Sequence, residues 1–145
     1  MTETILLLIQ KSLSDNFAMV MPDTYFMGEN PHLFFRENPG KVCIASWKIR
    51  DSQRGKLGQI EIAQNQLIRV VDKDPGCELE DAWGALAFNR EFVQCLDAQM
   101  PHVGYGLPNL IKKEMPHLVK EIAGEYFDCG TPSEYFSLVS SLYLN

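Results

Sequence analysis

"FAMVMPD" (residues 17–23) is the stretch on which the fold turns. Its apolar residues run without alternation from Phe17 to Met21, and Pro22 and Asp23 stop them. Such a run suits a strand covered on both faces, as strands of a parallel sheet are. An acid placed directly after it would lie at the strand's carboxyl end, where open α/β sheets bind their ligands. The plainer alternative is turn chemistry, since Asp after Pro commonly caps the next segment.

Upstream, residues 2–14 read as a helix, with Ile5, Leu8, Ile9 and Leu13 on one face. Downstream, a short helix is expected within 31–38 and a strand over 42–49, "VCIASWKI". After the polar loop "DSQRGKLG" come 58–63 and 66–72, predicted as a hairpin turning at "QN". Residues 82–88 are the next strand, and Asn89 is a good N-cap for a helix after it. A helix is expected over 107–115, with Pro108 in its first turn and Pro116 ending it. The segment 118–122 fits a short strand or a helical turn. "EYFDCG" reads as a strand end, and 131–143 as a final helix. Helices and strands alternate around an inserted hairpin. The expected fold class is therefore α/β: a three-layer sandwich with a mixed, mostly parallel sheet, forming one domain over 1–145. A strand as buried as 17–21 needs neighbours on both sides.

Length and composition fit one globular domain: 145 residues, 46% apolar and 22% charged. The net charge of −6 disfavours general binding to nucleic acid or to an anionic membrane surface, but leaves room for a local basic pocket that takes one phosphate. The early apolar run "ILLLI" is too short to span a bilayer and has no basic segment before it, so a cytoplasmic location is expected. Cys43, Cys77, Cys95 and Cys129 are widely spaced with no C-x-x-C pair, which favours reduced thiols. His32, His102 and His117 are isolated and read as ordinary histidines. No Walker A loop, G-x-G-x-x-G or G-x-S-x-G occurs.

Few positions are left that could carry chemistry. Asp23 could hold Mg²⁺ through a hard oxygen ligand. In "YFDCGTPSEYF" (residues 126–136), Thr131, Pro132 and Glu134 form a capping box. That box explains the turn and leaves Asp128, at the end of a strand, unexplained. Lys73 ends the second hairpin strand and could meet a phosphate as a mobile point charge, or simply balance Asp72 and Asp74. Gly58 opens a strand and Gly84 sits inside one; each marks close approach by a ligand, or else a bulge or tight packing.

Taken in order, these features resemble the sugar-phosphate nucleotidyltransferases (nucleotide-sugar pyrophosphorylases), over the later part of their catalytic domain. "FAMVMPDTYF" is similar to that family's apolar strand ending in a metal-binding aspartate. "KLGQIEIAQNQLIRVVDKDP" is similar to its hairpin ending in E-K-P. "AWGALAFNREFVQCL" resembles its glycine-bearing strand and following helix, and "EYFDCGTPSEYFSLVSSLY" its W-x-D-x-G-T-P-x-x-Y element. The resemblance implies a Rossmann-like fold that lacks the family's N-terminal part. It implies Asp23 and Asp128 as Mg²⁺ ligands, and Lys73 on the sugar phosphate as the catalytic lysine. Asp72 and Gly58 would lie against the sugar ring, and Trp83 and Gly84 would line the same pocket. The implied reaction joins a nucleoside triphosphate and a sugar 1-phosphate, releasing pyrophosphate by in-line attack at the α-phosphorus. Positioning and charge neutralisation suffice for such a transfer.

Departures are visible. Asp72 stands where the family has Glu, Asp74 is inserted before Pro75, Trp83 is bulky beside a sugar pocket, and no G-x-G-T-R triphosphate loop is present. The expected activity of this chain alone is therefore weak. The alternatives are a binding or regulatory module acting as a homodimer or with a complementing subunit, and an unrelated α/β domain whose motifs are only caps and turns.

Overall fold

The structure, a computed structural model, describes residues 1–143. Helix α1 (Thr2–Lys11) leads into β1 (Asn16–Val20), then β2 (Thr24–Gly28), α2 (Pro31–Glu37) and β3 (Val42–Lys48). The hairpin follows as β4 (Gly58–Ala63) and β5 (Gln66–Asp72), and then the long strand β6 (Asp81–Asn89). The chain closes with α3 (Leu107–Lys112), β7 (His117–Glu121), β8 (Gly124–Asp128) and α4 (Pro132–Tyr143). No helix among the described residues is long and apolar enough to cross a membrane.

The main sheet has six strands in the order β5-β4-β6-β3-β7, with β1 also on β6. It is mixed, as expected, but not mostly parallel. Only β3 and β7 run parallel; β1–β6, β3–β6, β4–β5 and β4–β6 are antiparallel. The cause is connection length. A parallel neighbour needs a crossover of a dozen or more residues. Of the two long connections, β1 to β3 through β2 and α2 sets those strands on opposite flanks of the antiparallel β6, and only β6 to β7 through α3 leads to a parallel pair, β7 on β3. The strand expected to be covered on both faces is likewise corrected. β1 pairs with β6 alone; Phe17 and Met19 are half-buried, while Ala18 and Val20 are exposed.

The central strand β3 shows how the layers form. Val42 and Ile44 enter one core with Leu86, Phe92, Leu107 and Leu110. Cys43, Ala45 and Trp47 enter a second core on the opposite face, with Phe34, Ile122 and Tyr126. Both faces of β3 are thus covered, so its run carries no polar alternation. The hairpin has the predicted bounds. Gln64 and Asn65 both take positive φ (51° and 60°), the left-handed pair that a two-residue type I′ turn requires.

Two elements differ from the sequence reading. The segment after Asn89 is a 3₁₀ helix, Arg90–Cys95, still capped by the Asn89 side chain, which accepts from Glu91 N–H at 3.1 Å. Thr24–Gly28, given no element from sequence, is a strand. It pairs antiparallel with β8 as a separate two-stranded ribbon, Thr24 opposite Asp128 and Gly28 opposite Gly124.

That ribbon is locked to the rest by an interaction that replaces half of the expected capping box. Thr131 Oγ1 accepts from Glu134 N–H at 3.4 Å, as a cap should. The Glu134 carboxylate, however, turns inward and takes Arg50 Nη2 at 2.7 Å. Arg50 lies over the Phe127 ring, 4.2 Å from its centroid, and Gln53 Nε2 donates to Tyr126 O at 2.9 Å. Glu134→Ala should therefore lower stability by about 2–3 kcal/mol. That is less than a fully buried pair would lose, because Arg50 keeps part of its hydration. Urea unfolding of the two proteins measures it, and an unchanged midpoint would contradict the inward role.

Candidate functional site

The β2–β8 ribbon builds the first part of the site. Asp23 sits in the turn before β2 and Asp128 ends β8. Cys129 N–H donates to Asp23 O at 2.7 Å, tying the two turns together. The side chains then converge beside Gly130. A carbon added to Gly130 would meet Asp23 Oδ2 at 3.0 Å and Asp128 Oδ1 at 3.1 Å. The two oxygens are therefore no more than about 6 Å apart, since each lies that close to one point. Asp128 Oδ1 also accepts from Gly130 N–H at 3.1 Å, which fixes its rotamer.

The hairpin builds the second part. Gly58 and Asp72 are cross-strand partners at its open end. Lys73 follows with φ 52°, a left-handed conformation that a lysine seldom takes. Its N–H is held by Leu57 O at 3.2 Å. Two adjoining cavities join the parts, and both are lined by Lys56, Leu57, Lys73 and Asp128. The first, with an empty volume of about 690 Å³ partly open to solvent, continues past Gly58, Asp72, Trp83 and Gly84 to His102. The second, about 670 Å³, adds Asp23, Gly130 and Thr131. All seven residues singled out from sequence thus line one cleft or the other.

The glycines are there chiefly for aromatic rings. A carbon on Gly58 would lie 2.4 Å from Trp83 Nε1. Gly84 is the extra residue of a β-bulge: Ala45 pairs with Ala85 but Ser46 pairs with Trp83. A carbon there would strike the Tyr126 ring at 2.3 Å and Trp47 at 2.9 Å. Sequence reasoning missed Lys56, Tyr126, His102 and Tyr105. Lys56 was visible in "RGKLG" only as part of a loop without a phosphate-binding pattern. The others depend on contacts between distant segments.

Electrostatics mark the acidic end. Burial, with the charges of Asp128 and Asp23, pushes the Tyr126 phenol far above its ordinary range. Burial, then Asp128, Glu134 and Asp23, raise the Cys129 thiol. At neutral pH Cys129 is a protonated thiol and presents no soft thiolate. At pH 8 it should alkylate with iodoacetamide more slowly than glutathione, because reaction requires the thiolate; a rate equal to glutathione's would contradict this. Among the described residues no group of three or more His, Cys, Asp or Glu side chains converges as a metal cage. Two carboxylates with open space beside them fit a hard cation such as Mg²⁺, which takes one or two carboxylates and completes its shell with water and substrate phosphates.

Solved structures share this arrangement of elements. A UDP-glucose pyrophosphorylase complexed with UDP-glucose matches 99% of the chain with a TM-score of 0.77 at 15% identity. An inositol-1-phosphate CTP transferase from T. maritima matches 96% with a TM-score of 0.75 at 13% identity. The fold is that of the sugar-phosphate nucleotidyltransferases. A UDP-glucose pyrophosphorylase from Acinetobacter baumannii adds a third case, 98% of the chain with a TM-score of 0.72 at 16% identity. The chain spans 62%, 59% and 56% of the lengths of these three structures in turn, so it corresponds to part of the nucleotidyltransferase fold. No family model and no curated protein matches the sequence. At such identities the nucleotidyltransferase likeness concerns the path of the backbone.

Proposed function

We propose that the chain is one part of a nucleotidyltransferase domain that joins a nucleoside triphosphate to a sugar 1-phosphate with release of pyrophosphate. The observation that carries this reading is the convergence of Asp23 and Asp128 in a cleft shared with Lys56 and Lys73. Two carboxylates facing two lysines is the charge pattern that a cation and a phosphate would each need. Asp23 and Asp128 would hold Mg²⁺, which when bound supplies positive charge beside phosphate oxygens. Lys73, with Lys56, would hold the sugar phosphate and keep its attacking oxygen in place. Asp72, Gly58, Trp83 and Gly84 would form the sugar end. No protein nucleophile is required, because in-line transfer depends on positioning and charge.

Calorimetry with Mg²⁺ and a panel of sugar 1-phosphates tests the reading. Binding that is Mg²⁺-dependent and lost in Lys73→Ala is expected, and its absence from the wild-type chain would overturn it. The 145-residue chain alone is expected to turn over slowly, because it carries no Gly-rich triphosphate loop and spans roughly three fifths of its structural neighbours. Robust nucleotide-sugar synthesis by the purified chain would contradict that.

A second reading, a sugar-phosphate-binding subunit that pairs with another copy or with a complementing chain, is favoured by one observation. β1 leaves an edge unpaired among the described residues, with Val20 exposed on that strand, and Leu7 and Leu8 are exposed on α1. Light scattering across a concentration series separates the two: a monomer at every concentration removes the homodimer. The four free thiols support a cytoplasmic location.

A further inference from the structure

The sugar end of the cleft also holds a histidine. His102 lies in the turn before a 3₁₀ helix, Val103–Gly106, and lines the cleft with Asp72 and Trp83. Its Nδ1 accepts a hydrogen bond from Gly104 N–H at 3.2 Å. In the neutral ring the proton is then on Nε2. Burial lowers the His102 pKa, against the pull of Asp72, and so favours that neutral ring. Nε2 is 3.9 Å from Asp72 Oδ2, too far for a hydrogen bond. Tyr105 donates its hydroxyl to the same Asp72 oxygen at 3.0 Å, and its ring meets His102 edge-on with centroids 4.7 Å apart. A carbon on Gly104 would strike Trp83 at 2.3 Å and His102 at 2.9 Å, so only glycine lets the two rings close on this corner.

A donor and an acceptor thus face each other across a gap too wide to close directly. An oxygen placed between them can lie about 2.8 Å from both. A hydroxyl group suits such a place, since it accepts and donates at once. We propose that His102 is a specificity-determining residue that reads one ring hydroxyl of the sugar: Nε2–H donates to the hydroxyl oxygen, Asp72 accepts the hydroxyl proton, and Tyr105 acts as a positioning residue that holds Asp72. This rests on the sugar-phosphate reading of the cleft and adds the group that distinguishes one sugar from another. A site built to hydrogen-bond a hydroxyl rejects the analogue that lacks it, because its own polar groups are then left unpaired.

The test is calorimetry of the full chain, with Mg²⁺, against hexose 1-phosphates and their monodeoxy analogues. The wild-type chain is expected to bind one monodeoxy analogue about tenfold or more weakly than its parent. In His102→Ala that ratio should fall to near unity, while affinity for the deoxy analogue changes by less than about threefold. Tyr105→Phe should reduce the ratio in part. His102→Gln, whose amide can place a donor near Nε2, should restore part of it. Circular dichroism of each variant reports its fold. Binding of the panel with the same ratio in wild type and His102→Ala, or with no discrimination in the wild type, overturns this inference and leaves the sugar-phosphate reading standing. No binding of any member by the wild type overturns both.

Discussion

Asp128→Ala is expected to weaken Mg²⁺-dependent binding of a sugar 1-phosphate by about 10- to 100-fold, and Asp23→Ala to match it. The size is that of losing one strong contact to a charged group, roughly 1.5–3 kcal/mol. The two acids should behave alike because both reach the same point beside Gly130. They should also be non-additive, since one cation would lose its protein ligands in either case. Asp128→Asn separates charge from structure. An asparagine oxygen can still accept from Gly130 N–H, as Asp128 Oδ1 does at 3.1 Å. The Asn variant should therefore keep its melting temperature and lose the Mg²⁺ dependence. Calorimetry with and without Mg²⁺ measures this. Full binding by Asp128→Asn would remove Asp128 from the proposed set of Mg²⁺ ligands.

Gly84→Ala is expected to destabilise the chain by about 3 kcal/mol, a fall in melting temperature of roughly 10 °C. The added methyl would strike Tyr126 at 2.3 Å and Trp47 at 2.9 Å. Neither ring has room to retreat. Trp47 is stacked on Phe26 with centroids 4.9 Å apart and packed on Tyr126 at 5.2 Å. All three rings belong to the second core, under the site. Gly76→Ala is the control. Its nearest neighbour would be an exposed Asp74 oxygen at 3.3 Å, so its stability should change little. Equal melting temperatures for the two variants would refute the packing account of Gly84.

Local chemistry made part of this legible in advance. The hairpin emerged with its bounds because alternation in the strands and the "QN" turn agree over a short span. The cap at Asn89 and the α4 start at Thr131 follow from side chains bonding backbone within three residues. Positions at strand ends were legible by the same token: Asp23, Lys73 and Asp128 each follow or close a strand, and all three line the cleft. The 17–21 run misled because apolarity without alternation does not say which faces are covered or which way the neighbour runs. Strand 24–28 was missed because its aromatic residues sit between turn residues with no partner in sight.

The sequence by itself determined the hairpin bounds, the caps at Asn89 and Thr131, and the strand-end positions of Asp23, Lys73 and Asp128. The tertiary structure alone decided three things: that β1 is an antiparallel edge strand, that β2 leaves the main sheet to pair with β8, and that Glu134 reaches Arg50. The physical reason is the range of the interactions. Turns and caps are settled between near neighbours, whereas strand pairing is settled by contacts that form only once the whole core has closed. The Asp23–Asp128 pair belongs to the second kind: each acid stands plainly in the sequence, but only the β2–β8 ladder brings them to one point.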